Sequence, residues 1–243
     1  MRTILFTCLL IGFAAFASAD RFVVGVEAID YYPLYSAEGG TYKGYARELL
    51  DAFAQDSGHT FNYRPFPVLR LTKTFLAGDV DFKMPDNPNW AESEKQGQKV
   101  VYSKPVAPYT DGVMVLPQNK GRGMEFLKKL TTLRGFTPWD YLGYIKDGKV
   151  SLNEVNNMTA MVRQVQNERA DGAYFNVAVA QYFLQEKLNQ PGTIVFDPSL
   201  PHTSSFYHLS TIQHPEVIDQ FNQWLRDNAG RVKALKQKYS ILD

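Results

Sequence analysis

The chain has 243 residues, 44% apolar and 21% charged, with 26 basic residues against 25 acidic ones and a formal net charge of +1. That balance excludes nucleic acid or an anionic membrane surface as the main partner, and the length suits one large domain or two small ones. The single cysteine and the four histidines, with no H-x-x-x-H spacing, leave thiol and metal chemistry without support, so no cofactor or metal is expected.

The N-terminal stretch MRTILFTCLLIGFAAFASAD carries one basic residue, an apolar run and small residues at Ala17 and Ala19. This pattern predicts a secretory signal at residues 1–19, cleaved after Ala19, and hence a periplasmic protein that has lost Cys8. A membrane anchor is the competing reading, but the run is short for a span and ends in an A-x-A site. Removal of Arg2 with the signal balances basic and acidic residues.

A strand is expected over residues 22–26, followed by a loop with Glu27, Asp30, Tyr31, Tyr32 and Pro33 and a turn at Gly39-Gly40. Ala46, Leu49, Leu50 and Phe53 recur at helical spacing, and Gly58 ends that helix. A strand over 60–63 precedes Pro65 and Pro67, and a second helix places Val68, Leu71, Thr72, Phe75 and Leu76 on one face. Gly78-Asp79 turns into a strand in which Val80, Phe82 and Met84 alternate with Asp81 and Lys83, and the strand is expected to stop at Pro85. The next residues, PDNPNW, combine turn chemistry with polar groups and an indole, the kind of post-strand loop that holds ligands in α/β proteins. This βαβ series implies a mainly parallel sheet.

After residue 112 the alternation starts again, implying a second lobe. Strands are expected over 112–116, 133–137, 151–155, 170–175 and 193–196, and helices over 124–130, around Met158, Met161, Val162 and Val165, and from Asn176 onward. A strand over 205–210 follows, then a helix opened by Pro215 with Val217, Ile218, Phe221 and Leu225 on one face, and a last helix over 231–239.

In this order the motifs resemble family 3 of the bacterial periplasmic solute-binding proteins, the polar amino-acid type. The residues that carry the resemblance are Tyr32-Pro33, Gly44-Tyr45 before Glu48-Leu49-Leu50, Pro67 with Arg70, Gly78 with Val80-Asp81, and Tyr102-Ser103-Lys104-Pro105. Leu133-Arg134-Gly135 and Arg169-Ala170-Asp171-Gly172-Ala173 continue it, with Glu168 where the family has glycine. The resemblance implies an α/β, two-lobed type II periplasmic-binding fold with mainly parallel sheets flanked by helices. It also implies two hinge crossings, near residues 106–112 and 197–205. Lobe 1 would comprise residues 20–107 plus 204–243, and lobe 2 residues 108–203. It implies a monomer that closes on a small-molecule ligand and hands it to the membrane subunits of an ABC importer or to a membrane receptor.

Two departures bear on the ligand. The family grips an α-carboxylate with an arginine shortly after the third strand, but no arginine lies between Arg70 and Arg122, and Lys95 or Gln96 stands nearest. Where the family has an aspartate for the α-ammonium, this chain has Asn176. The expected ligand is therefore a small polar or cationic organic solute rather than an α-amino acid held in the usual way. Strand-end positions nominate Tyr32, Arg70, Asp86, Asn87, Trp90, Trp139, Asp140 and Asn176 for ligand binding, with Lys83 and Tyr174 as further candidates. Trp90 and Trp139 would supply cation-π walls, against the alternative that each packs under its own loop. Tyr31 and Tyr35 are expected only to cover the lobe, and Asp81 to tie a turn. An enzyme is not expected. The alternative is a dehydratase-like use of cleft carboxylates such as Glu27 and Asp86.

Overall fold

Alternating apolar residues after Asp20 build β1 (Arg21–Glu27), whose Val24 and Val26 are fully buried. The protein is described from a computed structural model covering residues 20–241; the expected signal segment and Cys8 lie outside the described residues. A small ribbon of β2 (Asp30–Tyr31) and β3 (Tyr35–Ser36) follows. Then α1 (Tyr45–Ser57) buries Ala46, Leu49, Leu50 and Phe53, as its periodicity predicts. Burying each of the larger three stabilises the fold by about 1.5–3 kcal/mol. Gly44 enters this helix at φ 105°, where a Cβ would lie 2.9 Å from the Tyr35 Cα, so only glycine fits.

The strand β4 (Thr60–Phe66) pairs parallel with β1, and α2 (Val68–Leu76) buries Leu71 and Phe75. Next, β5 (Phe82–Asp86) lies parallel to β1 on its other side. It does not stop at Pro85. The proline has no N–H to offer the ladder, and its antiparallel partner shifts register between His208 and Ser210, so the strand passes through to Asp86. A short α3 (Glu92–Lys95) and β6 (Val101–Tyr102) complete this half.

The second half contains β7 (Ala107–Val115), β8 (Lys129–Leu133), α4 (Leu142–Lys146), β9 (Ser151–Val155), α5 (Met158–Gln166), β10 (Gly172–Asn176), α6 (Val177–Tyr182) and β11 (Val195–Phe196). The helix expected over 124–130 is absent, and its last residues open β8. Thr131 and Thr132 are β-branched, and parallel pairing with β9 and β10 on both sides outweighs the weak helical pattern. The chain then forms β12 (Thr203–Thr211), α7 (Pro215–Asp227) and α8 (Ala229–Lys238). On α7, Trp224 joins Val217, Ile218 and Phe221 in the core, and its indole donates to Asp56 at 2.7 Å.

The strands order as β4-β1-β5-β12-β7-β10-β8-β9 in one curled sheet. Ladders are parallel within each half and antiparallel where β7 and β12 join them. Residues 208–211 of β12 lie against β5, whereas residues 203–207 lie against β7, so this strand belongs to both halves. Among the described residues no helix is long and apolar enough to cross a membrane.

Candidate functional site

Glu27 at the end of β1, Lys83 of β5, Asp111 of β7 and Tyr174 of β10 line a cavity of about 270 Å³ between the two halves. Val68, Leu69 and Thr72 of α2, with the turn from Trp90 to Glu94, wall it from the first half; Gly135, Phe136 and Trp139 wall it from the second. Its charged groups are Glu27, Lys83, Glu94 and Asp111, and its phenols are Tyr31, Tyr35, Tyr174 and Tyr207. Tyr31 stacks on Tyr35 at 4.9 Å and on Phe136 of the other half at 5.8 Å, so the aromatic wall bridges the halves. A groove of about 970 Å³ beside the start of α5 is larger, but its Arg163 and Arg169 are exposed to solvent. The smaller cavity, with buried charges, is where chemistry is concentrated.

Under the first-half wall lies a buried ionic cluster. Asp86 Oδ1 accepts from Lys83 Nζ at 2.9 Å and from Lys95 Nζ at 3.1 Å, and Oδ2 accepts from the Ser210 hydroxyl at 2.7 Å. Burial alone would raise the Asp86 carboxyl, but Lys83 and Lys95 outweigh it and hold the group below the usual carboxylate range. Lys95 is pushed down by burial and by the like charge of Lys83, with Asp86 partly offsetting this. Glu27 moves the other way: burial raises it, opposed by the bond from the Tyr35 hydroxyl and by Lys83.

Of the residues nominated from sequence, Trp90 and Trp139 line the cavity, and Trp139 is 42% exposed. Lys83 and Tyr174 also line it, with Lys83 Nζ 5.9 Å from the Trp90 ring centroid. Asp86 sits behind the wall in its ionic cluster. Asn87 is buried, donating to Ser205 Oγ at 3.1 Å and to the Phe206 carbonyl at 2.9 Å. Asp140 accepts from the Thr203 hydroxyl at 2.8 Å. Asn176 caps α6 by accepting from the Val179 N–H at 3.0 Å, and donates to the Tyr207 hydroxyl at 3.2 Å. Tyr32 packs between Tyr182 and Tyr239, away from the cavity, and Arg70 is exposed on α2. Lys95, nearest the expected arginine, turns inward to Asp86 and to the Asn87 carbonyl at 2.8 Å.

The cavity residues that sequence reasoning missed are Asp111 as an acid, and Tyr31, Tyr35 and Tyr207 as its phenol wall. An isolated acid within the apolar run of β7 is the one signal that could have pointed to Asp111. The expected pairing of Glu27 with Asp86 does not occur on the cavity wall: Lys83 and Lys95 neutralise Asp86, and the acids that line the cavity with Glu27 are Asp111 and Glu94. Among the described residues no group of three or more His, Cys, Asp or Glu is placed to hold a metal.

No family model matches the chain, and no curated protein matches it. Solved structures do. An ancestral arginine-binding protein bound to arginine is 20% identical, with 90% of this chain and 97% of that one covered at a TM-score of 0.71. The arginine-, lysine- and histidine-binding protein ArtJ of Geobacillus stearothermophilus is 18% identical, covering 90% and 94% at 0.68. An ancestral amino-acid-binding protein, a precursor of cyclohexadienyl dehydratase, is 22% identical, covering 90% and 95% at 0.68. The chain has the two-lobed type II periplasmic-binding-protein fold, with a curled sheet and flanking helices.

Proposed function

We propose that this protein is a periplasmic solute-binding protein of the family 3 type that captures a small polar or cationic organic solute by closing its hinge, for an ABC importer or a membrane sensor. Lobe 1 is residues 20–107 with 204–243, lobe 2 is residues 108–203, and the protein is a monomer without enzymatic activity. The observation that carries this reading is the cavity between the halves, enclosed by aromatic rings and dominated by carboxylates. Glu27, Glu94 and Asp111 line it against a single ammonium, that of Lys83, which is already bonded to Asp86. Rings and acids together attract a cation and disfavour an anion. Solved neighbours that bind arginine, lysine or histidine support solute capture on this fold.

Trp90 and Trp139 are proposed to hold the solute directly, whereas Asp86, Asn87, Asp140 and Asn176 shape the wall from behind through their hydrogen bonds. Tyr32, packed between Tyr182 and Tyr239, and Arg70, exposed on α2, are proposed to stay out of direct contact with the solute.

A thermal-shift screen of polar solutes, amines and amino acids, followed by native mass spectrometry, tests the proposal. A true ligand should raise the melting temperature with concentration as mass action requires and be recovered at unchanged mass. Common α-amino acids should raise it little. A screen in which no small solute shifts the melting temperature overturns solute capture. A second reading, acid-base catalysis, is favoured by one observation: burial raises both Glu27 and Asp111, which keeps protons available in the cavity. Recovery of a mass-changed product would support it.

A further inference from the structure

Two polar atoms in the cavity wall have no hydrogen-bond partner, Oδ1 of Asp111 and the phenol oxygen of Tyr174, and both are buried. The neighbouring buried polar groups of the wall are in use: Tyr35 donates to Glu27, Lys83 to Asp86, and Tyr207 contacts Tyr31 at 3.4 Å. Buried polar atoms in a folded protein are nearly always bonded, so two unpaired oxygens on one cavity mark where a ligand belongs. We propose that Asp111 and Tyr174 anchor an organic cation that carries N–H donors, an ammonium or a guanidinium, and that this donor-bearing cation is the solute class of the cavity. The proposal rests on the reading of this cavity as a solute site.

The chemistry of the two oxygens sets the class. An ionised carboxylate only accepts, and a phenol oxygen accepts readily, so both are satisfied at once by one group with several N–H bonds. A quaternary ammonium would fill the aromatic walls but leave both oxygens unbonded. An anion would face Asp111 with Glu27 and Glu94 on the same wall. Asp111 of β7 stands opposite Asn176 of β10 and opposite Thr203 of β12, the strand that belongs to both halves. A solute bonded there sits beside the strand that both halves share.

The same carboxyl makes capture depend on pH. Burial, with Asp140 and Glu27 adding to it and Asn176 opposing it, pushes Asp111 up to about 7. The titratable groups around it are Glu27 of β1, Asp140, and the phenols of Tyr31, Tyr109, Tyr174 and Tyr207, all four raised above 10 by burial. Cation affinity therefore rises as Asp111 ionises, that is, as the pH rises through about 7.

Calorimetric titration of the wild type, Asp111→Asn and Tyr174→Phe with putrescine and agmatine as donor-bearing probes, choline as the quaternary probe and succinate as the anion tests this, one pH unit either side of the Asp111 midpoint. The wild type should bind at least one of the amines at least about tenfold more tightly than choline, and more tightly at the higher pH. Asp111→Asn should lose about tenfold or more of that affinity together with its pH dependence, and Tyr174→Phe several-fold. Equal binding of choline or succinate overturns the proposal but leaves solute capture standing, whereas failure of these probes and of every solute in the wider screen sinks both. Should Asp111→Asn not melt cooperatively, Tyr174→Phe decides the matter, since unchanged amine affinity there also overturns the anchor.

Discussion

Asp86 shows at the scale of one residue why this cleft offers no free cation where a carboxylate-gripping arginine would be expected. Its carboxylate is fully buried and binds two lysines, so neither ammonium is free to act as an isolated positive charge. Asp86→Asn would leave Lys83 and Lys95 facing each other without a counter-charge, and should cost about 3–5 kcal/mol in urea unfolding at neutral pH. The sign with pH is fixed by the direction of its shift: Asp86 is held below its usual 3.8, so its stabilisation is present above that value and is lost as the pH falls through the lower folded value. The difference between wild type and Asp86→Asn should therefore shrink in strong acid, and a constant difference would show that the lysines find other partners. Asp81 was expected to tie a turn, and its carboxylate instead joins distant elements: it accepts from the Val23 N–H of β1 at 2.6 Å and from His214, just before α7, at 3.0 Å.

At the scale of elements, helices α1, α2, α5 and α7 were the most legible part of the chain because each buries a stripe that recurs every three to four residues. The strand ends were less so. The end of β10 carries Asn176, and a search along that strand for an acid fails; the acid is Asp111, directly across the ladder on β7. Cross-strand neighbours are set by register, which no stretch of one strand reveals. Asn176 itself serves its helix. Asn176→Ala removes the cap of α6 and the bond to Tyr207, and should lower stability by about 1–2 kcal/mol, more than Asn157→Ala, which removes only the side-chain bond to the Ala160 N–H. Equal losses in thermal melts would mean that the bond to Tyr207 contributes nothing.

For the whole molecule, the contact that matters is the one between the halves at the mouth of the cavity. Gly135 sits at φ 90°, and a Cβ there would lie 3.4 Å from Leu69 and from Val68 of α2, so any branched side chain would press on the opposite wall. Gly135→Val should hold the halves apart, weakening solute binding several-fold and increasing the radius of gyration in small-angle scattering with saturating solute. Leu69 is 66% exposed, and adding Leu69→Ala should restore part of the affinity. If the double variant binds no better than Gly135→Val alone, the loss comes from backbone strain at Gly135 rather than from blocked closure.

By itself the sequence determined the βα alternation, its restart after residue 112 and the buried faces of the main helices, because periodicity and turn chemistry are local and survive in the order of residues; the two-lobed fold followed from the resemblance that the order of motifs carries. It also marked Trp90 and Trp139 as wall residues, since both follow strand ends. Only the tertiary structure decided which charges are free. Lys83, Asp86 and Lys95 offset one another within the first half, whereas Oδ1 of Asp111 and the phenol oxygen of Tyr174, separated by 63 residues in the chain numbering, meet unpaired on one cavity. Whether a buried charge is spent or available depends on the neighbours that folding brings to it, and those neighbours come from strands distant in sequence.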